Sequence, residues 1–101
     1  MKKILPNESI TEVFGYNPRR KFGAVVNNDA SQTLYWSFSK EQYDPVADDF
    51  VPLDETNGMP LLAGASMSMY SENPDRELSK IALYIYNPSA SSVEIRIEEI
   101  L

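Results

Sequence analysis

The sequence predicts a small all-β, single-domain protein, built as an antiparallel β-sandwich or a jelly-roll-like barrel. In several segments apolar and polar residues alternate with the period of two that half-buried strands show. Turn-forming pairs such as Asn17-Pro18 and Asn87-Pro88 separate these segments. Seven prolines are scattered along the 101 residues, and no window keeps the helical period over three turns. Short strands punctuated this often are typical of small sandwiches and barrels.

Residues 1–16 are predicted to form an N-terminal arm or edge strand, with a weak strand at residues 10–14. Residues 17–101 are predicted to form the sandwich domain. Within it, residues 22–26 and 81–86 are apolar on both faces, as strands covered by another layer are. We therefore expect these two strands at the centre of the fold.

Two other segments show the clearest alternation, residues 33–39 and residues 92–98. Their inward side chains are expected to be Leu34, Trp36 and Phe38 in the first and Val93, Ile95 and Ile97 in the second. Residues 65–70 form a weaker strand, and residues 75–79 allow one short helical turn. Ile100 breaks the parity of the last strand, which predicts a bulge there or a register change against a neighbouring chain. No internal repeat is evident.

Residues 40–58 are predicted to form a long acidic loop. After Lys40 the segment has no further cation, and its carboxylates are Glu41, Asp44, Asp48, Asp49, Asp54 and Glu55. The oxygens of Asp44, Asp48, Asp49 and Asp54 suit Ca²⁺, but their spacing does not match the regular Asp-x-Asp-x-Asp-Gly pattern of a calcium loop. The sequence favours a solvated acidic loop and leaves calcium binding open.

Composition argues against an enzyme or a cofactor protein. Cysteine and histidine are both absent, which removes disulfides, thiolate sites, the commonest general base and the commonest metal ligand. No glycine-rich phosphate loop is present. The net charge of −6 argues against a nucleic-acid partner, and the single basic cluster, Arg19-Arg20-Lys21, is interpreted as a solvated strand entrance or a salt-bridge donor. No apolar run approaches the ~20 residues that span a membrane.

The candidate functional residues lie on the second central strand and near the termini. Tyr84 and Tyr86 point away from the apolar side of their strand, and they suit a second core layer, a protein interface or stacking on a sugar. The sequence leaves these three alternatives open. The full set of predicted interface residues is Ile10, Val13, Phe14, Tyr84, Tyr86, Ile100 and Leu101.

A family resemblance rests on three segments and on their order along the chain. They are Pro-Arg-Arg-Lys-Phe-Gly-Ala-Val-Val-Asn-Asn at 18–28, Thr-Leu-Tyr-Trp-Ser-Phe at 33–38, and Gly-Met-Pro-Leu-Leu-Ala-Gly-Ala-Ser at 58–66. This order resembles a group of small β-sandwich bacteriophage virion proteins. Those proteins have a Pro-x-Arg entrance to an apolar strand ending in Asn, a strand with a Leu-Tyr or Val-Tyr pair, and a Gly-x-x-Leu-x-x-Gly turn. The acidic insert at 40–57 and the segment at 73–76 depart from that pattern.

The resemblance implies a virion structural protein, made in the host cytoplasm and present in repeated copies on a symmetric particle. Its implied roles are capsid decoration or cement subunit, head-fibre or spike base, and minor tail or head-tail connector component. The implied partners are the major capsid protein or another virion protein and sister subunits, with a trimer favoured. The alternatives are a carbohydrate-binding module that uses Tyr84, Tyr86 or Tyr70, and an accessory subunit of a bacterial complex.

Overall fold

The protein is an antiparallel β-sandwich, as the sequence predicts. The computed structural model describes residues 1–70 and 78–101, and their strands are β1 (Lys2–Leu5), β2 (Ser9–Phe14), β3 (Phe22–Asn27), β4 (Leu34–Ser37), β5 (Glu41–Asp44), β6 (Asp49–Pro52), β7 (Met59–Leu61), β8 (Ser66–Tyr70), β9 (Leu83–Asn87) and β10 (Val93–Ile100). The first sheet has the order β1-β10-β3-β8 and the second β2-β9-β4-β7. Strands β5 and β6 pair only with each other. None of the described residues lies in a helix that is long and apolar enough to cross a lipid bilayer.

The core lies between the two four-stranded sheets. Leu5, Val25, Met69, Val93 and Ile95 come from the first sheet, and Val13, Phe14, Leu34, Leu61, Leu83 and Ile85 come from the second. Removing an aliphatic side chain of this kind from water stabilises the fold by about 1.5 to 3 kcal/mol. Because side chains alternate between the two faces of each strand, one face of each sheet contributes its apolar side chains to this core.

The two sheets are topologically equivalent. Exchanging β1 with β7, β2 with β8, β3 with β9 and β4 with β10 converts the strand order of one sheet into that of the other. The body therefore consists of two four-strand units, β1–β4 and β7–β10, and each unit contributes two strands to each sheet. The β5–β6 hairpin is inserted between the units and has no counterpart.

A repeated turn marks the same equivalence in the sequence. Asn27 ends β3, Asn87 ends β9, and each begins the pattern Asn-x-(Asp or Ser)-Ala-Ser. Both asparagines are fully buried. Each side-chain oxygen accepts the amide two residues on at 3.0 Å, and each side-chain amide donates to the last carbonyl of the edge strand, Leu61 or Leu5. The expectation of no internal repeat is wrong, because the strand order repeats and this turn repeats with it in the sequence.

Two other expectations are wrong, and a third concerns residues that the structure does not describe. Residues 40–58 are not an irregular loop, since β5 and β6 pair in register from Glu41–Pro52 to Asp44–Asp49. The last strand has no bulge at Ile100, which pairs directly with Phe22 on an outer face that is apolar at this end. The register shift lies instead in β2, between Glu12 and Phe14. Most of the allowed helical turn, residues 75–77, lies outside the described residues.

Candidate interaction surface

Val13 and Phe14 are not available to a partner, contrary to the sequence prediction. Both side chains are buried in the core between the sheets. The register shift in β2 explains this, because the extra residue between Glu12 and Phe14 turns two consecutive side chains inward. Strict alternation would have left one of the two on the outer face.

Ile10, Tyr84 and Tyr86 lie together on the outer face of the second sheet. Tyr86 pairs with Ile10 on one side and with Tyr35 on the other, and Tyr35 in turn pairs with Pro60. This cross-strand row of apolar groups crosses all four strands, with its two tyrosines half-buried and its two ends exposed. The row forms a ridge suited to contact with a protein or a sugar ring.

A cleft of about 580 Å³ lies beside this row, between the second sheet and the base of the hairpin. Its lining residues are Ile10, Glu12, Lys40, Glu41, Pro52 and Tyr84. The Tyr84 hydroxyl donates to Glu12 Oε1 at 3.4 Å. The cleft therefore combines an aromatic ring with two carboxylates and an ammonium group, which are groups that recognise hydroxyl-rich ligands.

The base of the hairpin is fixed to the outer face of the second sheet. Gln42 donates to the Ser37 hydroxyl of β4 at 2.8 Å. Within the hairpin, the amide of Leu53 donates to the carbonyl of Lys40 at 2.9 Å and closes its base. Leu53 is buried although it stands outside the main core. A Cβ atom placed on Gly58 would lie 2.9 Å from both Leu53 Cδ1 and Tyr35 Cβ. Because Tyr35 belongs to β4, Gly58 and Leu53 pack directly on the second sheet.

The tip of the hairpin, by contrast, is exposed. Tyr43 pairs with Phe50 across the two strands, and their rings meet edge to face at 5.7 Å between centroids. Tyr43 also donates to the Asp48 carboxylate, and this hydrogen bond raises the pKa of the tyrosine. Val46, in the turn, is almost fully exposed. We name Tyr43, Val46 and Phe50 the hairpin tip.

Ile100 lies in a second exposed patch, on the outer face of the first sheet, and Leu101 follows it directly. Ile100 pairs with Phe22, which pairs with Tyr70, so the three side chains form one row. Ile100, Leu101 and Tyr70 are exposed. We name Phe22, Tyr70, Ile100 and Leu101 the C-terminal patch. The structure therefore divides the predicted interface residues among the outer face of the second sheet (Ile10, Tyr84 and Tyr86), the C-terminal patch (Ile100 and Leu101) and the core (Val13 and Phe14).

Sequence reasoning missed the role of Arg20, which is buried rather than solvated. Its Nε donates to Glu99 Oε2 at 2.8 Å, and its other nitrogens donate to the carbonyls of Gly15, Ser79 and Ile81. The guanidinium also lies 4.6 Å from the centre of the Phe14 ring. Its salt bridge agrees with one of the two interpretations of the basic cluster. A cavity of about 530 Å³ adjoins it, between Met1, Val13 and Ile97.

The hairpin carboxylates are dispersed and several have internal partners. Across residues 1–70 and 78–101, no group of three or more His, Cys, Asp or Glu side chains is placed to hold a metal ion. Asp44 accepts the amides of Val46 and Ala47. Asp54 accepts the Thr56 hydroxyl at 2.6 Å and its amide at 2.8 Å, and these bonds lower the pKa of Asp54.

No protein-family model matches the chain, and no curated protein matches it.

Proposed function

We propose that this chain is a non-enzymatic structural protein of a bacteriophage virion, assembled in repeated copies on the capsid. The proposed roles are a decoration or cement subunit, or the base of a head fibre or spike. A minor tail or head-tail connector component is the alternative position in the particle. The proposed partners are the major capsid protein or another virion protein, together with sister subunits.

The observation that carries this proposal is the projecting acidic hairpin. It is an insertion between two equivalent units, fixed at its base and exposed at its apolar tip. An isolated two-stranded hairpin is marginal in water, and exposed aromatic groups on one are typical of protein contacts. The order of motifs at 18–28, 33–38 and 58–66 adds the resemblance to virion proteins.

Association with particles is the direct test. Purified chain is mixed with virions of the phage whose genome encodes it, prepared without the protein, and the mixture is separated on a density gradient. We expect the chain to co-sediment with particles and to saturate at a fixed number of copies per particle that matches the symmetry of the particle. A variant lacking Phe50 of the hairpin tip should bind less. No co-sedimentation with intact heads or tails would contradict the proposal.

A second candidate function, carbohydrate binding, is favoured by the cleft beside Tyr84. Its ring, the Glu12 and Glu41 carboxylates and Lys40 line one opening. On this hypothesis Tyr84→Ala removes glycan binding on an array and leaves oligomerisation unchanged. Tyr16→Ala is the matched control, because Tyr16 is an exposed tyrosine that does not line the cleft. Equal losses in both variants would exclude the cleft as the sugar site.

A further inference from the structure

We propose that the hairpin tip of one chain docks on the C-terminal patch of a second copy, so that subunits associate head to tail. The inference rests on the proposed assembly in repeated copies and identifies the two surfaces that meet. Both surfaces are apolar, both are exposed, and they differ in the charge around them.

The hairpin tip has the composition of an interface anchor. Val46 is 96% exposed and Phe50 is 63% exposed, and Tyr43 stands beside Phe50 in an edge-to-face pair. Aromatic residues are enriched among the few positions that contribute most to protein binding. Nothing else in residues 1–70 or 78–101 covers this group.

Charge separates the tip from the rest of the molecule. Residues 43–50, which include the hairpin tip, hold Asp44, Asp48 and Asp49 and no cation, a formal charge of −3. Both signs of charge lie beside the C-terminal patch. Glu98 is paired with Arg96 and Glu99 with Arg20, while the amide of Lys21 donates to the carbonyl of Ile100 and Arg19 is two residues from Lys21. Within the described parts of the chain, neither Arg19 nor Lys21 forms an ion pair. The two apolar surfaces are thus electrostatically complementary.

The position of the two surfaces requires a second copy. The hairpin base is fixed to the outer face of the second sheet, through Ser37 and Tyr35. The C-terminal patch lies on the outer face of the first sheet, on the other side of the core. One chain cannot bring its own tip to its own patch, whereas successive chains can. Such heterologous contacts close into a ring or continue as a filament.

Sedimentation velocity over a concentration series tests the inference. Phe50→Ser changes the tip, Ile100→Ser changes the patch, and Leu62→Ser is the control. Leu62 is 60% exposed and lies in the turn at the opposite end of β8 from Tyr70. We expect the first two variants to weaken association by about tenfold or more and the control to leave it unchanged. Added salt should weaken wild-type association.

A mixture of the two defective variants gives the decisive result. Phe50→Ser retains a patch and Ile100→Ser retains a tip, so one intact contact forms between them. We expect a 1:1 dimer of wild-type affinity that does not grow further. A mixture that does not associate, a wild-type chain that stays monomeric, or an equal effect of Leu62→Ser would overturn the inference. A monomer that still co-sediments with particles would leave the virion proposal standing, whereas self-docking without particle binding would remove the virion proposal alone.

Discussion

Replacing Arg20 should destabilise the protein far more than replacing its charged partner. Arg20 is 2% exposed, whereas the Glu99 side chain is 37% exposed. Arg20→Ala leaves the carbonyls of Gly15, Ser79 and Ile81 without their charged donor; the Ser79 contact is buried and the other two are partly buried. A buried group without its partner costs about 1 to 3 kcal/mol, and a partly buried one costs less. Water entering from the adjoining cavity offsets part of this loss. With the contact to the Phe14 ring also lost, we expect a total cost of about 3 to 5 kcal/mol, a large fraction of the stability of a small domain.

Glu99→Gln should cost about 1 kcal/mol, because the amide oxygen still accepts from Arg20 and the three carbonyls still solvate the guanidinium that loses its counter-charge. Urea unfolding followed by the fluorescence of Trp36, the single tryptophan, measures both variants. Arg19→Ala is the control and should change the free energy of unfolding by less than about 0.5 kcal/mol. If Glu99→Gln were as damaging as Arg20→Ala, the ion pair rather than the carbonyl contacts would stabilise this corner, and the reasoning would be refuted.

Three further outcomes are expected. Asn27→Ala and Asn87→Ala should each lower the free energy of unfolding by about 2 to 3 kcal/mol in urea titrations, since each leaves buried carbonyls unpaired; a large loss from only one would contradict the equivalence of the turns. Gly58→Ala should cost about 1 to 3 kcal/mol because its Cβ has no room, while Gly15→Ala, with 3.9 Å to its nearest neighbour, should be neutral in the same assay. The pKa of Asp54 is lower in the folded than in the unfolded state, so its stabilisation is complete above the ordinary aspartate pKa and disappears as the pH falls through the folded value. Unfolding midpoints measured below about pH 4 should therefore fall less steeply in Asp54→Asn than in the wild type, and equal slopes would contradict this role.

The strands of the sandwich were predictable because period-two alternation is a local property. Leu34 and Ile95 are buried where that pattern places them. The hairpin was missed for the opposite reason, since its aromatic residues face solvent while Gln42 contacts the body. A prediction that assigns apolar residues to the inward face cannot detect a hairpin whose aromatic side chains face solvent.

The candidate site was only partly predictable, because its decisive contacts join distant positions. The carbonyls that bind Arg20 include those of Ser79 and Ile81, about sixty residues away, so the sequence gives no sign of its burial. The side chains of Val13 and Phe14 turn inward through a register shift that alternation does not encode. Ile10 and Tyr86, by contrast, meet as partners on neighbouring strands, on a face that parity does predict.

The division between body and hairpin bears directly on function. The two four-strand units bury the core and fix the turns at Asn27 and Asn87, and neither task needs the inserted hairpin. The insertion carries most of the net charge and exposes Val46 and Phe50 at its tip. Exposed apolar groups on a projecting element favour association and gain nothing for the stability of the single chain. Because the hairpin breaks an otherwise equivalent pair of units, contacts through it are directional, as head-to-tail assembly requires.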